Sequence, residues 1–224
     1  MTSIDANAAS REAVLARVRK ALGRNGPDAQ ARAAADAYVA AHAQGPRPRM
    51  PANLVERFVS RANDMASTVE RIGHVADVPV AVSRYLDQIT PQPAPRAGVC
   101  WPEFADLDWR SAGLAIEARP TQGHDALGVT GCFCGIAETG TLVFVTGRDT
   151  PTGSMLLPST HIAVVRAARI VSGMEEAFAL IRSELPAMPR AVNLVSGPSR
   201  TGDIEQTIVL GAHGPYRVHL LVVG

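Results

Sequence analysis

The sequence predicts an α/β fold: a central, mostly parallel sheet flanked by helices, with a helical N-terminal arm in front of it. Three observations carry that expectation. Blocks with apolar residues at helical spacing recur along the chain, short apolar and β-branched runs fall between them, and the two kinds alternate from residue 50 onward. The chain has 224 residues, 46% of them hydrophobic and 19% charged, which is enough apolar material for one large domain or one domain with an appendage.

The elements follow in order. Ser10 is a candidate N-cap, with Ala13, Val14, Val18 and Leu22 on one face of the helix behind it and Gly23 as its stop. Residues 29–43 are alanine-rich and helix-prone. Three prolines between Gly45 and Pro51 mark a linker, so residues 1–49 are expected as an arm and residues 50–224 as the body. Residues 1–57 carry nine basic and five acidic side chains, and the remainder thirteen and sixteen. The arm is either a docking element, for a partner or for a second copy of the chain, or a loose tail. Leu54, Phe58, Met65, Val69 and Ile72 predict a helix over residues 53–73, with a short strand at 73–75 and a second helix at 78–89. Prolines at 91, 93 and 95 end that helix. Residues 97–101 read as a buried strand, 107–112 as a helical turn and 114–116 as another strand. Residues 129–136 and 139–145 are two β-prone runs, followed by a strand at 162–165 and a helix at 174–185 with Phe178, Ile181 and Leu185 inward. Strands at 191–195, 208–210 and 218–223 complete the pattern, without internal repeats or low-complexity tracts.

Composition excludes several classes of function. A net charge of +1 gives no basic field for nucleic acid. No run approaches the roughly 18 apolar residues of a membrane span, and the first ten residues lack a basic-then-apolar export signal. Cys100, Cys132 and Cys134 are the only cysteines; they neither frame a small disulfide fold nor complete a four-cysteine metal site, and Cys132-Phe133-Cys134 lacks the C-x-x-C spacing of zinc or iron–sulfur binding. No metal is expected here, and the natural compartment is the reducing cytoplasm. Lys20 is the only lysine, so the body has no amine for a Schiff base and no Walker A loop. No G-x-G-x-x-G fingerprint for a dinucleotide occurs.

Chemistry concentrates in a few polar stretches at the ends of predicted strands, where open α/β sheets place ligands beyond the carboxyl ends. Glu138-Thr139-Gly140-Thr141 offers a carboxylate, two hydroxyls and an unobstructed amide: an anion cradle with one acid or base, or a tight strand connection whose threonines cap the backbone. Ser159 and His161 lie in Leu-Pro-Ser-Thr-His. Residues 196–205 place Arg200 in a turn with Ser196, Gly197, Ser199 and Thr201, followed by Asp203 and Glu205. A guanidinium there matches a carboxylate or phosphate, while the acids orient it, polarise a ligand hydroxyl or neutralise it; Asp203 alternatively serves as an N-cap. His161 and His213 are either proton-transfer groups or satisfied structural residues.

Taken together and in order, Gly128 to Gly131, Ile136 to Thr141, Leu157 to Ile162, Ser196-Gly197-Pro198-Ser199-Arg200-Thr201-Gly202-Asp203-Ile204-Glu205 and Gly211 to Pro215 resemble the LUD-domain proteins, and within them the lactate-utilization protein C (LutC) type. The resemblance covers about residues 50–224, with Gly202 standing where alanine would be expected. It implies a fold like the NagB/RpiA/CoA-transferase group. It also implies a role in oxidising L-lactate to pyruvate beside two partner proteins that carry iron–sulfur clusters, none being held by this chain. On that reading Glu138, His161, Arg200 and Asp203 are the expected catalytic positions. Thr139, Gly140, Thr141, Ser159, Ser196, Gly197, Ser199, Thr201, Glu205 and His213 are the expected contacts to lactate, pyruvate or a similar small anion. Two alternatives stay open: a free-standing enzyme acting on a phosphorylated sugar, a nucleotide or a CoA ester, and a metabolite-sensing interaction module.

Overall fold

A computed structural model describes residues 3–23, 26, 28–89, 94–202 and 209–224, with backbone alone for residues 3–6. Asp203, Glu205, Ile208 and the prolines at 91 and 93 lie outside the described residues. Residues 1–48 and 49–224 form two compact units. The first holds helices α1 (Ser3–Ala21) and α2 (Ala29–Ala41). Ser10 is not an N-cap but lies inside α1, because the good helix formers on both sides carry the helix through it. The Asp28 carboxylate caps α2 by accepting from the Ala31 amide at 2.9 Å, and α2 has no buried side chain.

The second unit begins with α3 (Leu54–Asp64), capped by Asn53 Oδ1 accepting from the Glu56 amide at 3.1 Å and burying Phe58 and Ala62. The expected helix to residue 73 ends at Asp64. Ala66 turns left-handed at φ 62°, and the Ser67 amide reaches back to the Ala62 carbonyl at 3.0 Å. Thr68, Val69 and Ile72 are β-branched, and the chain continues as strand β1 (Thr68–Ile72), parallel to the far end of the sequence. The short strand expected at 73–75 is a turn into a single 3₁₀ turn at Val75–Asp77. Helix α4 (Val78–Gln88) follows, with Pro79 in its first turn, and buries Val78, Ala81, Val82, Tyr85 and Leu86.

Strands β2 (Ala97–Cys100), β3 (Ala115–Ala118) and β4 (Leu127–Thr130) come next. The helical turn expected at 107–112 is non-helical; the 3₁₀ turn stands at Pro102–Phe104 instead, where Pro102 presets the backbone angle. The β run expected over 129–136 divides, because β4 ends at Thr130 and the chain crosses into a second sheet as β5 (Cys134–Ile136). There follow β6 (Thr141–Val145), the single turn α5 (Gly153–Leu156), β7 (Thr160–Arg166), β8 (Ile170–Val171), α6 (Met174–Glu184), β9 (Val192–Val195), β10 (Arg200–Thr201), β11 (Val209–Leu210) and β12 (Arg217–Val223).

Six strands form an entirely parallel sheet in the order β1-β12-β7-β4-β2-β3. A second sheet runs β8-β5-β6-β9, and β10 pairs with β11 as a small antiparallel ribbon. Strand β6 shows the period of two: Leu142 and Phe144 join the main core, whereas Val143 joins Ala177 and Ile181 of α6. Each fully buried Leu or Phe in these layers stabilises the fold by about 2 kcal/mol. No helix among the described residues is long and apolar enough to cross a membrane.

Candidate functional site

Parallel pairing puts the first residues of β1, β12, β7 and β4 on one edge, with Thr68 beside His219, Arg217 beside Thr160 and Leu127 beside Thr160. The polar motifs gather on this edge. The Arg217 amide donates to the Ser159 carbonyl at 3.0 Å, the Ser199 amide to the Pro215 carbonyl at 2.9 Å, and the His213 amide to Ser199 Oγ at 3.4 Å. Ser159, Ser199 and His213 therefore lock three separate loops together. This corrects the expected location: the loops cluster at the amino ends of the parallel strands, because Ser159 and Pro215 precede β7 and β12 rather than follow them.

The Glu138 to Thr141 turn joins the same cluster through hydroxyls. Thr139 Oγ1 and Thr141 Oγ1 lie 2.6 Å apart, as do Thr141 Oγ1 and Ser196 Oγ. Two glycines permit the close fit. Gly140 (φ 69°) presses on the end of α3, where a Cβ would come 2.3 Å from the Ala62 nitrogen; Gly197 (φ 76°) would place one 2.0 Å from the Met65 carbonyl oxygen. Arg200 Nη2 donates to that same Met65 oxygen at 3.2 Å, and a cation is favoured there by the carbonyl end of the helix.

Beside Arg200 opens a cleft of about 740 Å³, lined also by Thr68, Tyr85, Gln88 and Arg217. Its polar floor is a hydrogen-bonded chain. Tyr85 hydrogen-bonds Thr68, and Thr68 Oγ1 lies 2.7 Å from His219 Nδ1. Tyr85 stacks on the His219 ring at 4.0 Å. Burial pushes His219 down to about 4, aided by Arg84, so the imidazole is neutral at pH 7. The Thr68 bond lowers the Tyr85 hydroxyl, as a bond donated by Thr68 to the phenol oxygen does, so Thr68 accepts from the imidazole Nδ1–H and the Tyr85 O–H is left to donate. Burial raises the Tyr85 hydroxyl, against the Thr68 bond and the Arg217 charge; it is a phenol at neutral pH. Two guanidinium groups, a phenol and a threonine hydroxyl thus line one cavity, a donor-rich surface matched to a carboxylate.

The expected residues divide. Arg200 lines the cleft; Ser196, Gly197, Ser199 and His213 lie in the adjoining loops and Thr201 in β10, and none of these five is among its described lining residues. Glu138 is half-buried in the β5–β6 turn, its amide donating to the Ser172 carbonyl at 3.0 Å. His161 is fully buried, 2.8 Å from Thr130 Oγ1 through Nε2, and burial pushes it down to about 3. Neither is among the cleft's described lining residues. Thr68, Tyr85 and Arg217 escape sequence reasoning; the one usable signal is Arg217, a cation opening an otherwise apolar strand. Among the described residues no three His, Cys, Asp or Glu side chains gather as a metal-binding group.

Residues 102–223 match the family model described as the LUD domain. "Lactate utilization protein C" of Deinococcus radiodurans is 30% identical over 186 residues, covering 80% of this chain and 84% of that protein. The protein of the same name from Bacillus licheniformis is 34% identical over 127 residues, 55% of this chain and 53% of that protein; "Lactate utilization protein C 1" of Bacillus mycoides is 38% identical over 129 residues, 55% of each. The matched region spans about half the length of the Bacillus relatives. A DUF162 family protein from Deinococcus radiodurans, solved by crystallography, superposes with a TM-score of 0.56 at 24% identity, covering 79% of this chain and 100% of that one; that likeness speaks to the fold alone.

Proposed function

Since the chain belongs to the LUD domain family, we propose that it serves lactate utilization by holding a 2-hydroxy carboxylate in the Arg200 cleft while partner proteins carry out the electron transfer. The observation that carries this reading is the convergence of Arg200 and Arg217 with Thr68 and Tyr85 on one cavity. The guanidinium groups take the carboxylate, and the Tyr85 hydroxyl, its oxygen accepting from Thr68, donates to the oxygen of the 2-hydroxyl. Oxidation of lactate to pyruvate releases two electrons and two protons. This sequence has no dinucleotide fingerprint, so the reading assigns the electrons to iron–sulfur clusters of two partner proteins in the cytoplasm. The names of the relatives support the pathway. Asp203 and Glu205 enter the reading as groups that orient Arg200, and Glu138 as an acid or base beside the hydroxyl chain.

Calorimetry with L-lactate, pyruvate and propionate tests it. L-lactate binds to the native protein, and Arg200→Ala weakens it about tenfold or more. Tyr85→Phe reduces the preference for lactate over propionate while leaving propionate unchanged. The cleft is larger than a three-carbon acid, so longer 2-hydroxy acids bind at least as well. Equal heats from the native protein and Arg200→Ala overturn the assignment of the cleft. Purification from lactate-grown cells without any iron–sulfur protein attached overturns the partner assignment.

A further inference from the structure

The hydrogen-bonded chain under the Arg200 cleft ends on a nitrogen that nothing satisfies. His219 is the third residue of β12, and its ring lies against Tyr85 of α4, the two centroids 4.0 Å apart and the planes within 12° of parallel. The side chain is buried. Its Nδ1 has Thr68 Oγ1 at 2.7 Å. Its Nε2, on the far side of the ring, has no hydrogen-bond partner among the described residues. A neutral imidazole carries one proton, so one nitrogen is an N–H and the other a bare lone pair. A buried N–H without an acceptor forfeits its whole hydration, and such orphan donors are rarer in folded proteins than orphan acceptors. The proton therefore sits on Nδ1, where Thr68 receives it.

The consequence runs outward one bond at a time. Nδ1–H donates to Thr68 Oγ1. The Thr68 proton is then free for its other partner, the Tyr85 oxygen. The Tyr85 proton is left for the cleft that this residue lines. Arg200 and Arg217 line the same cleft and can only donate. No carboxylate is among the described lining residues, and Gln88 brings their only side-chain carbonyl. Such a surface suits a ligand made of acceptors. A 2-oxo acid brings a carboxylate and a ketone oxygen and nothing else. A 2-hydroxy acid brings in addition an O–H, which has to find an acceptor among donors.

We propose that His219 is the positioning residue of the cleft: by keeping its proton on Nδ1 it turns Tyr85 into a donor, and the cleft thereby favours a 2-oxo carboxylate over the 2-hydroxy acid of the same carbon skeleton. This rests on the reading of the Arg200 cleft as a carboxylate site and adds the oxidation state that it holds best. When a 2-hydroxy acid is oxidised, the Tyr85 O–H already faces the carbonyl oxygen that forms. His219 itself touches no ligand.

Two measurements on the full-length protein test it. The first needs no ligand: long-range proton–nitrogen NMR at neutral pH, with the His219 ring assigned by its absence from the His219→Phe spectrum, shows Nδ1 protonated and Nε2 bare. The second is calorimetry with pyruvate and L-lactate. The native protein binds pyruvate about fivefold more tightly than L-lactate. His219→Phe keeps an aromatic ring against Tyr85 but has no proton for Thr68, and the ratio falls to about one. His219→Asn gives up the ring but keeps an N–H at the same branch, and the ratio stays near its native value; a role in packing alone would reverse the order of these two variants. Arg200→Ala weakens both acids alike. An Nε2–H ring, no preference for pyruvate in the native protein, or a ratio unmoved in His219→Phe overturns the assignment of His219 and leaves the carboxylate site standing. Binding of neither acid to the native protein overturns both.

Discussion

The two ends of the parallel sheet are made of different materials. At the amino end, loops of Gly, Ser and Thr interlock through backbone amides, and Gly140 and Gly197 lie within collision distance of α3. At the carboxyl end, large side chains line an opening, and the near neighbours that crowd Gly131 are atoms of the Glu103 carboxylate. A motif built of small residues thus records backbone crowding as well as ligand chemistry. An opening lined by single Trp, Glu and Arg side chains leaves no string to read.

Paired glycine substitutions bring out that contrast most strongly. Gly197→Ala must hold a Cβ at φ 76° and 2.0 Å from the Met65 oxygen, so the backbone of two elements has to separate. Left-handed strain and overpacking together cost about 3 kcal/mol. Gly131→Ala moves only a side-chain terminus and costs less than about 1 kcal/mol. Chemical denaturation followed by circular dichroism gives both numbers. Equal costs would mean that the two ends are crowded alike.

The same contrast explains what the sequence made legible. The parallel sheet, the arm and helices α4 and α6 follow from periodicity, and Arg200 stood out because a guanidinium is unusual in a Gly/Ser turn. Thr68 and Tyr85 were hidden in apolar stretches that look like core. They reach the cleft only because β1 pairs with β12 across most of the chain, Thr68 meeting His219, and no local pattern encodes that pairing. Val69 and Ile72 fit a helical period and a strand equally well, so periodicity alone carries the helix past the true end of α3 at Asp64.

His161 provides the next test, since it belongs to a motif yet sits inside the core. Its folded value is about 3 against an ordinary 6.5. Between those values the unfolded chain binds a proton that the folded chain refuses. Its contribution to stability is therefore complete above pH 6.5 and is lost as the pH falls toward 3. His219, held at about 4, acts in the same direction. His161→Gln retains a partner for Thr130 and removes the titration. The slope of unfolding free energy against pH between about 4 and 6 then falls by about 1.4 kcal/mol per pH unit. An unchanged slope would show that His161 takes up protons freely in the folded state, and would return it to the candidates for proton transfer.

The smallest expected effect lies at Ala66, a non-glycine residue held at φ 62° on the rim of the Arg200 cleft. The left-handed conformation costs a residue with a Cβ roughly 1–2 kcal/mol, and glycine returns part of that gain through its freer unfolded chain. Ala66→Gly is expected to raise stability by about 0.5 kcal/mol, read as a higher denaturant midpoint at constant slope. Because only a methyl group is lost from the rim, and Thr68, Tyr85, Arg200 and Arg217 keep their places, lactate binding should not change. A loss of stability would mean that the Ala66 methyl packs as part of the crowded amino end, and that the turn closing α3 is held by contact rather than tolerated under strain.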